Sequence, residues 1–110
     1  MIKRLTAWHA LPDVSREQAL AHWRTSHAEL VAAVPGVRRY VQNHCTTGPA
    51  GDAGSEPPYT GLGEVWFDDV GAAEAAMTTP EWARVIDDAA RFMNLARTTA
   101  AWAEEHVFEP

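Results

Sequence analysis

Residues 15–36, SREQALAHWRTSHAELVAAVPG, repeat apolar side chains at helical spacing: Leu20, Trp23, Leu30, Val31 and Val34 share one side of a helix. Ser15, with Gln18 three residues later, predicts a capping box at its start. Pro35-Gly36 predicts its end, because proline cannot continue a helix and glycine accepts the exit geometry. His27 falls on the apolar stripe, so an imidazole is expected to point into hydrophobic surroundings.

Elsewhere the pattern shortens to a period of two, which predicts strands. Ile2–His9 alternates without a wholly polar side: Leu5, Ala7 and His9 oppose Ile2, Arg4, Thr6 and Trp8. In Val37–Cys45, one face holds Val37, Arg39, Val41, Asn43 and Cys45, and the other Arg38, Tyr40, Gln42 and His44. Tyr59–Phe67 is a third strand, with Gly61 and Gly63 on one face as room for a ligand or a close backbone. Asp68-Asp69 caps a short helix, Val70–Met77, and Thr79-Pro80 starts another. The buried stripe of that last helix is Trp82, Val85, Ile86, Ala89 and Phe92 or Met93. The tail Arg97–Phe108 is divided: Thr98-Thr99, Trp102 and His106–Phe108 favour strand, whereas Ala100–Glu105 favours helix.

The order β-α-β-β-α-β is the split βαβ arrangement of ferredoxin-like α+β folds, a four-stranded antiparallel sheet with both helices on one face. The other face carries residues such as Trp8 or Trp66, so it is expected to be covered by a second copy in a homodimer. The 110 residues predict a single domain, 1–110. The one low-order segment is the loop 46–58, TTGPAGDAGSEPP; loops of this length serve as lids or stay disordered.

Composition narrows the function classes. The net charge is −6 and basic residues cluster only at Lys3-Arg4 and Arg38-Arg39, which argues against a nucleic-acid partner. One cysteine, Cys45, excludes an internal disulfide and a cysteine-built zinc site. The N-terminal MIKRLTAWHA lacks the apolar run of a signal peptide. No stretch approaches the roughly 20 apolar residues of a membrane span, so the expectation is a cytoplasmic protein without membrane contact. Five tryptophans are many for this length and suit pocket walls and interfaces.

The candidate chemistry centres on His27, which titrates near neutrality and would serve as general acid/base, against the plain reading of a core histidine bonded to a carbonyl. Tyr40 would hydrogen-bond a substrate oxygen or pack as a strand aromatic, and a cluster Tyr40/Gln42/His44 shares its face. His22 and His27 are five apart, a spacing that diverges on an α-helix and does not match a helical zinc pair, so no metal is predicted. Glu64, inside an apolar strand, needs a partner and reads as structural. Neither a phosphate-binding nor a dinucleotide-binding glycine pattern is present, nor G-x-S-x-G, so no nucleotide cofactor or serine triad is expected.

The runs HWRTSHAEL, VPGVRRY, YTGLGEVWFDD and the later PEW…DDAARF resemble the EthD domain family, over about residues 2–108. The resemblance implies the dimeric α+β barrel group, whose members include polyketide cyclases, cofactor-independent monooxygenases and muconolactone isomerases. In the muconolactone methylisomerases, a functional histidine precedes the helix-ending Pro-Gly by eight residues, the place of His27, and a tyrosine follows at the place of Tyr40. Val65 stands where those enzymes carry a cysteine between Glu and Trp, so their thiol is absent. Many EthD sequences also place an aspartate before the third-strand glycine, where this chain has Thr60.

Together these readings predict a small enzyme without cofactor. It would act on an aromatic, polyketide-like or lactone substrate by cyclisation, dehydration, isomerisation or cofactor-free oxygenation. His27 and Tyr40 are the candidate catalytic residues. Trp23, His44, Val65, Trp66 and His9 are the candidate substrate-binding residues. The alternative is a non-catalytic dimeric protein that binds a hydrophobic or aromatic metabolite or supports its degradation.

Overall fold

A computed structural model describes residues 1–48 and 57–110. The elements in order are β1 Ile2–Trp8, α1 Arg16–His22, a π-helical turn Trp23–His27, α2 Ala28–Ala32, β2 Arg39–His44, β3 Gly61–Phe67, α3 Val70–Ala76, α4 Pro80–Ala89, a 3-10 turn Leu95–Arg97 and β4 Thr99–Glu104. The strands run β2-β3-β1-β4, every neighbour antiparallel. This is the expected ferredoxin-like α+β fold. Much of the expected lid loop, residues 49–56, lies outside the described residues.

Local signals act as read. The Ser15 hydroxyl accepts from Gln18 N while the Gln18 side chain accepts from Ser15 N, and Gly36 leaves the helix at φ 92°. Asp69 caps α3, and Thr79 with Pro80 caps α4. The tail resolves as strand: β4 pairs with the free edge of β1, and that long-range pairing overrides the helical propensity of its alanines.

Two departures bear on the site. The long helix is not uniformly α. Across Trp23–His27 the Thr25 hydroxyl donates to the Ala21 carbonyl and Gln42 Nε2 donates to the Trp23 carbonyl. Side chains that enter the backbone ladder in this way favour a wider i→i+5 turn. The second departure concerns sheet faces. Trp8 is fully buried on the helix side, not on the open face; Trp66 does lie on the open face, under Lys3 and Arg39.

The core forms two adjoining clusters beneath the helices. One is built on Val31, Val34, Phe67, Trp82 and Val85, the other on Trp8, Ala19, Trp23, Ala89 and Phe92. Gly61 makes room for the second: a Cβ there would sit 2.6 Å from both the Trp23 ring and Trp8 Nε1. The missing side chain of Gly61 therefore admits tryptophan and not a ligand. No helix among the described residues is long and apolar enough to cross a membrane.

Candidate active site

Between the sheet and the helices lies a cavity of about 110 Å³, lined among others by Arg4, Thr6, Trp8, Trp23, His27, Tyr40, Val65 and Trp82. The pleat explains the set. Tyr40, Val65, Arg4 and Trp102 occupy one row across the four strands, and Gln42, Gly63, Thr6 and Ala100 the next. Gly63, having no side chain, leaves a hollow in the floor between them. Ile86 and Leu95 line the cavity yet are 41% and 46% exposed, so they form its rim; Ile86 is therefore not part of the buried stripe expected for α4.

His27 is 3% exposed, and its Nδ1–H donates to Asp88 Oδ2 at 2.8 Å. His22 Nε2–H donates to the same carboxylate, at 3.0 Å and 2.9 Å from its two oxygens. A carboxylate only accepts, so Asp88 fixes the proton of His27 on Nδ1 and leaves the Nε2 lone pair free. Among the described residues nothing hydrogen-bonds that Nε2. Burial lowers the His27 pKa below its ordinary 6.5, although the hydrogen bond and charge of Asp88 pull the other way. Burial pushes Asp88 up, but the hydrogen bonds from His27 and His22 outweigh it and leave the carboxyl below 3.8. His27 is thus held neutral, oriented and ready to accept a proton.

Tyr40 faces the same cavity. Its oxygen accepts from Gln42 Nε2 at 2.7 Å, which leaves its own proton available to a ligand. Burial raises its pKa to about 12, so near neutrality it is a donor and not a base. Gln42 is itself oriented: its Nε2 is shared with the Trp23 carbonyl and its Oε1 accepts from His44 Nε2 at 3.0 Å.

Of the sequence-predicted residues, the structure brings His27, Tyr40, Trp23 and Val65 to one cavity. His44 stands behind it, tilted against the Trp23 ring at 5.0 Å between centroids and bonded to Gln42. Trp66 is on the opposite face of the sheet, because β3 alternates and Val65 takes the inward position. His9 lies past the end of β1 beside Tyr59, in a separate groove with Arg16 and Arg97. Thr60, at the place of the family's aspartate, accepts from Ala10 N at 3.0 Å and so ties the β1 exit to β3.

Sequence reasoning missed His22, Asp88 and Arg4 as site residues. Asp88 was legible: it falls three residues after Val85 and four before Phe92, a carboxylate on the buried stripe. His22 was not. The divergence expected of a five-residue spacing is narrowed by the π-helical turn, whose wider i→i+5 hydrogen-bonded ring brings both imidazoles within reach of Asp88. Among the described residues no group of three His, Cys, Asp or Glu is arranged to hold a metal ion.

The EthD domain matches residues 11–96 of the chain. An EthD family protein from Bacillus halodurans superposes with a TM-score of 0.77 at 24% identity, over 96% of this chain and 100% of that one. A dimeric protein of unknown function and ferredoxin-like fold from Bacteroides fragilis matches with a TM-score of 0.68 at 17% identity, over 94% and 95% of the two chains. SnoaB, a cofactor-independent oxygenase from Streptomyces nogalater, matches with a TM-score of 0.66 at 10% identity, over 99% and 96%. At these identities the likeness is one of fold. No curated protein sequence matches the chain.

Proposed function

The chain belongs to the EthD domain family, and from that premise we propose that it is an acid/base enzyme using no cofactor. Its substrate is an aromatic, polyketide-like or lactone compound held in the cavity between sheet and helices. The observation that carries this reading is the buried His27–Asp88 pair with the free Nε2 on the cavity side. His27 takes a proton from a carbon next to a carbonyl, or from a phenol. The electron pair moves onto the substrate oxygen, where the Tyr40 O–H donates to it. Asp88 stabilises the imidazolium that forms, and His27 then returns the proton at another atom or to a leaving group. Cyclisation, isomerisation and dehydration share this sequence. Oxygenation of a phenolate by dioxygen begins with the same proton transfer, and the fold likeness to SnoaB lends that variant support.

The open sheet face supports a homodimer. Its groove of about 480 Å³ is lined by Leu5, Ala7, Leu62 and Ala101, and the similar Bacteroides fragilis protein is dimeric.

The test is ligand-detected NMR against phenolic, anthrone-like and lactone compounds, with wild type beside His27→Ala. Conversion by wild type and binding without conversion by the variant support the enzyme. Equal binding by both with no conversion by either overturns it in favour of a metabolite-binding protein.

A further inference from the structure

The cavity holds a cation that the proton-transfer scheme does not use. Arg4 projects from the central strand β1 towards the helices, in the same cross-sheet row as Tyr40 with Val65 between them. Neighbouring strands are about 4.8 Å apart, so the two backbone positions stand about 10 Å apart. The Arg4 guanidinium lies over the Trp82 ring at 5.3 Å, and one nitrogen donates to Thr6 Oγ1 at 2.8 Å. Among the described residues no carboxylate comes within 4.0 Å of it, although the chain has 15 acidic residues. Lys3 and Arg38 each have a carboxylate partner, and of the arginines without one it is Arg4 that lines this cavity. A guanidinium has five N–H donors; among the described residues one meets a protein acceptor, and the others stay open to water or to an entering anion. A partly desolvated cation without a counter-ion is costly, and the cost is relieved when an anion enters.

We propose that Arg4 selects the charge of the substrate: the cavity takes an aromatic ring bearing a carboxylate, the carboxylate on Arg4 and the reacting atom towards His27 and Tyr40. The cavity measures about 110 Å³, less than the roughly 150 Å³ of an enclosed cavity that holds benzene, so a ring bearing a carboxylate fits only with part of it in the open rim. The ring lies among Trp8, Trp23 and Trp82, whose faces and edges suit an aromatic guest. The opposing field of a chain with net charge −6 makes any preference for an anion local in origin. A second copy on the open face does not reach Arg4, which points the other way. The inference rests on the cavity proposed above as the substrate site, but not on His27 being a base.

The test compares benzoate with benzamide, two probes of nearly equal shape, by NMR titration of wild type, Arg4→Gln, Arg4→Lys and His27→Ala. Wild type is expected to bind benzoate about tenfold tighter than benzamide, the scale of a charge-assisted pair. Arg4→Gln should bring the two within twofold while leaving benzamide binding unchanged, and Arg4→Lys should keep part of the preference. His27→Ala should keep all of it, whether or not the enzyme reading survives. The Arg4 Nε–H signal in wild type, which needs no variant to fold, should shift with benzoate and not with benzamide. Equal binding of the two probes by wild type, an unmoved Arg4 signal, or a preference that survives in Arg4→Gln overturns the proposal.

Discussion

The two faces of the sheet carry polar residues in comparable number and use them in opposite ways. On the open face the side chains answer one another. Lys3 donates to Glu64 at 2.8 Å and to Glu105 at 3.1 Å, Asn43 donates to Glu64, and Lys3 and Arg39 cover Trp66. On the helix face, valences are left over among the described residues: the Nε1–H of Trp8, buried without a partner, and, lining the cavity, Nε2 of His27, the proton of Tyr40 and the Arg4 donors that meet no protein acceptor. Satisfied networks specify structure, whereas pre-oriented unsatisfied groups are available for chemistry. On the reading proposed above, the reaction belongs to the helix side of the sheet and association between chains to the open side.

The sharpest way to break the comparison is to remove one group from each side. On a substrate found in the panel, His27→Gln is expected to lower kcat by about 10²- to 10⁴-fold while ligand binding and fold persist. Glu64→Gln on the open face should leave kcat within about twofold, because its carboxylate accepts from Lys3 and Asn43 on the side of the sheet away from the cavity. Similar losses from both would erase the distinction.

Asp88→Asn is expected to cost about 10- to 100-fold in kcat, the scale for groups that orient a functional imidazole. It also carries a signature that a purely structural role would not. Asp88 raises the His27 pKa against the larger lowering by burial, so removing its charge should move the acidic limb of the pH–kcat/KM profile to lower pH. In the wild type that limb should already lie below 6.5. The linked stability has the same sign. Folded His27 holds its proton less tightly than the unfolded chain does, so stability is full above pH 6.5 and declines as pH falls. The lowered Asp88 adds a further loss at still lower pH, below 3.8. Chemical denaturation at a series of pH values checks both.

Smaller effects separate packing from association. Gly61→Ala should destabilise by about 1–3 kcal/mol in urea unfolding, because its Cβ meets Trp23 and Trp8 at 2.6 Å. Gly63→Ala, with Trp23 at 3.4 Å, should cost less. Leu62→Arg on the open face should convert dimer to monomer in sedimentation while kcat per chain stays within about twofold, since the cavity lies within one chain.

The fold was readable because its signals are local. Ser15 with Gln18, Asp69, and Thr79-Pro80 begin helices as their chemistry requires, and strand alternation assigned Tyr40, Gln42 and His44 to one face correctly. His27 was found because a polar residue on an apolar stripe is conspicuous. What escaped depends on non-local geometry. The π-helical turn arises where Gln42, from a different element, takes the Trp23 carbonyl, and that turn brings His22 and His27 within reach of Asp88. Arg4 on its own reads as one more charge near the N-terminus; its isolation from carboxylates exists only once three strands and α4 surround it. Trp66 and Trp8 look alike in sequence, and strand pairing with helix packing alone sends them to opposite faces.

The central claim is that His27 is a neutral, Nδ1-protonated imidazole with a free Nε2. Nitrogen-15 NMR of the histidine side chains, followed from pH 8 to pH 4, tests it directly. A protonated Nδ1 and an unprotonated Nε2 are expected for His27 at neutral pH, titrating below 6.5. A proton on Nε2 at neutral pH, or titration above 6.5, would contradict it and leave His27 as a structural residue of the core.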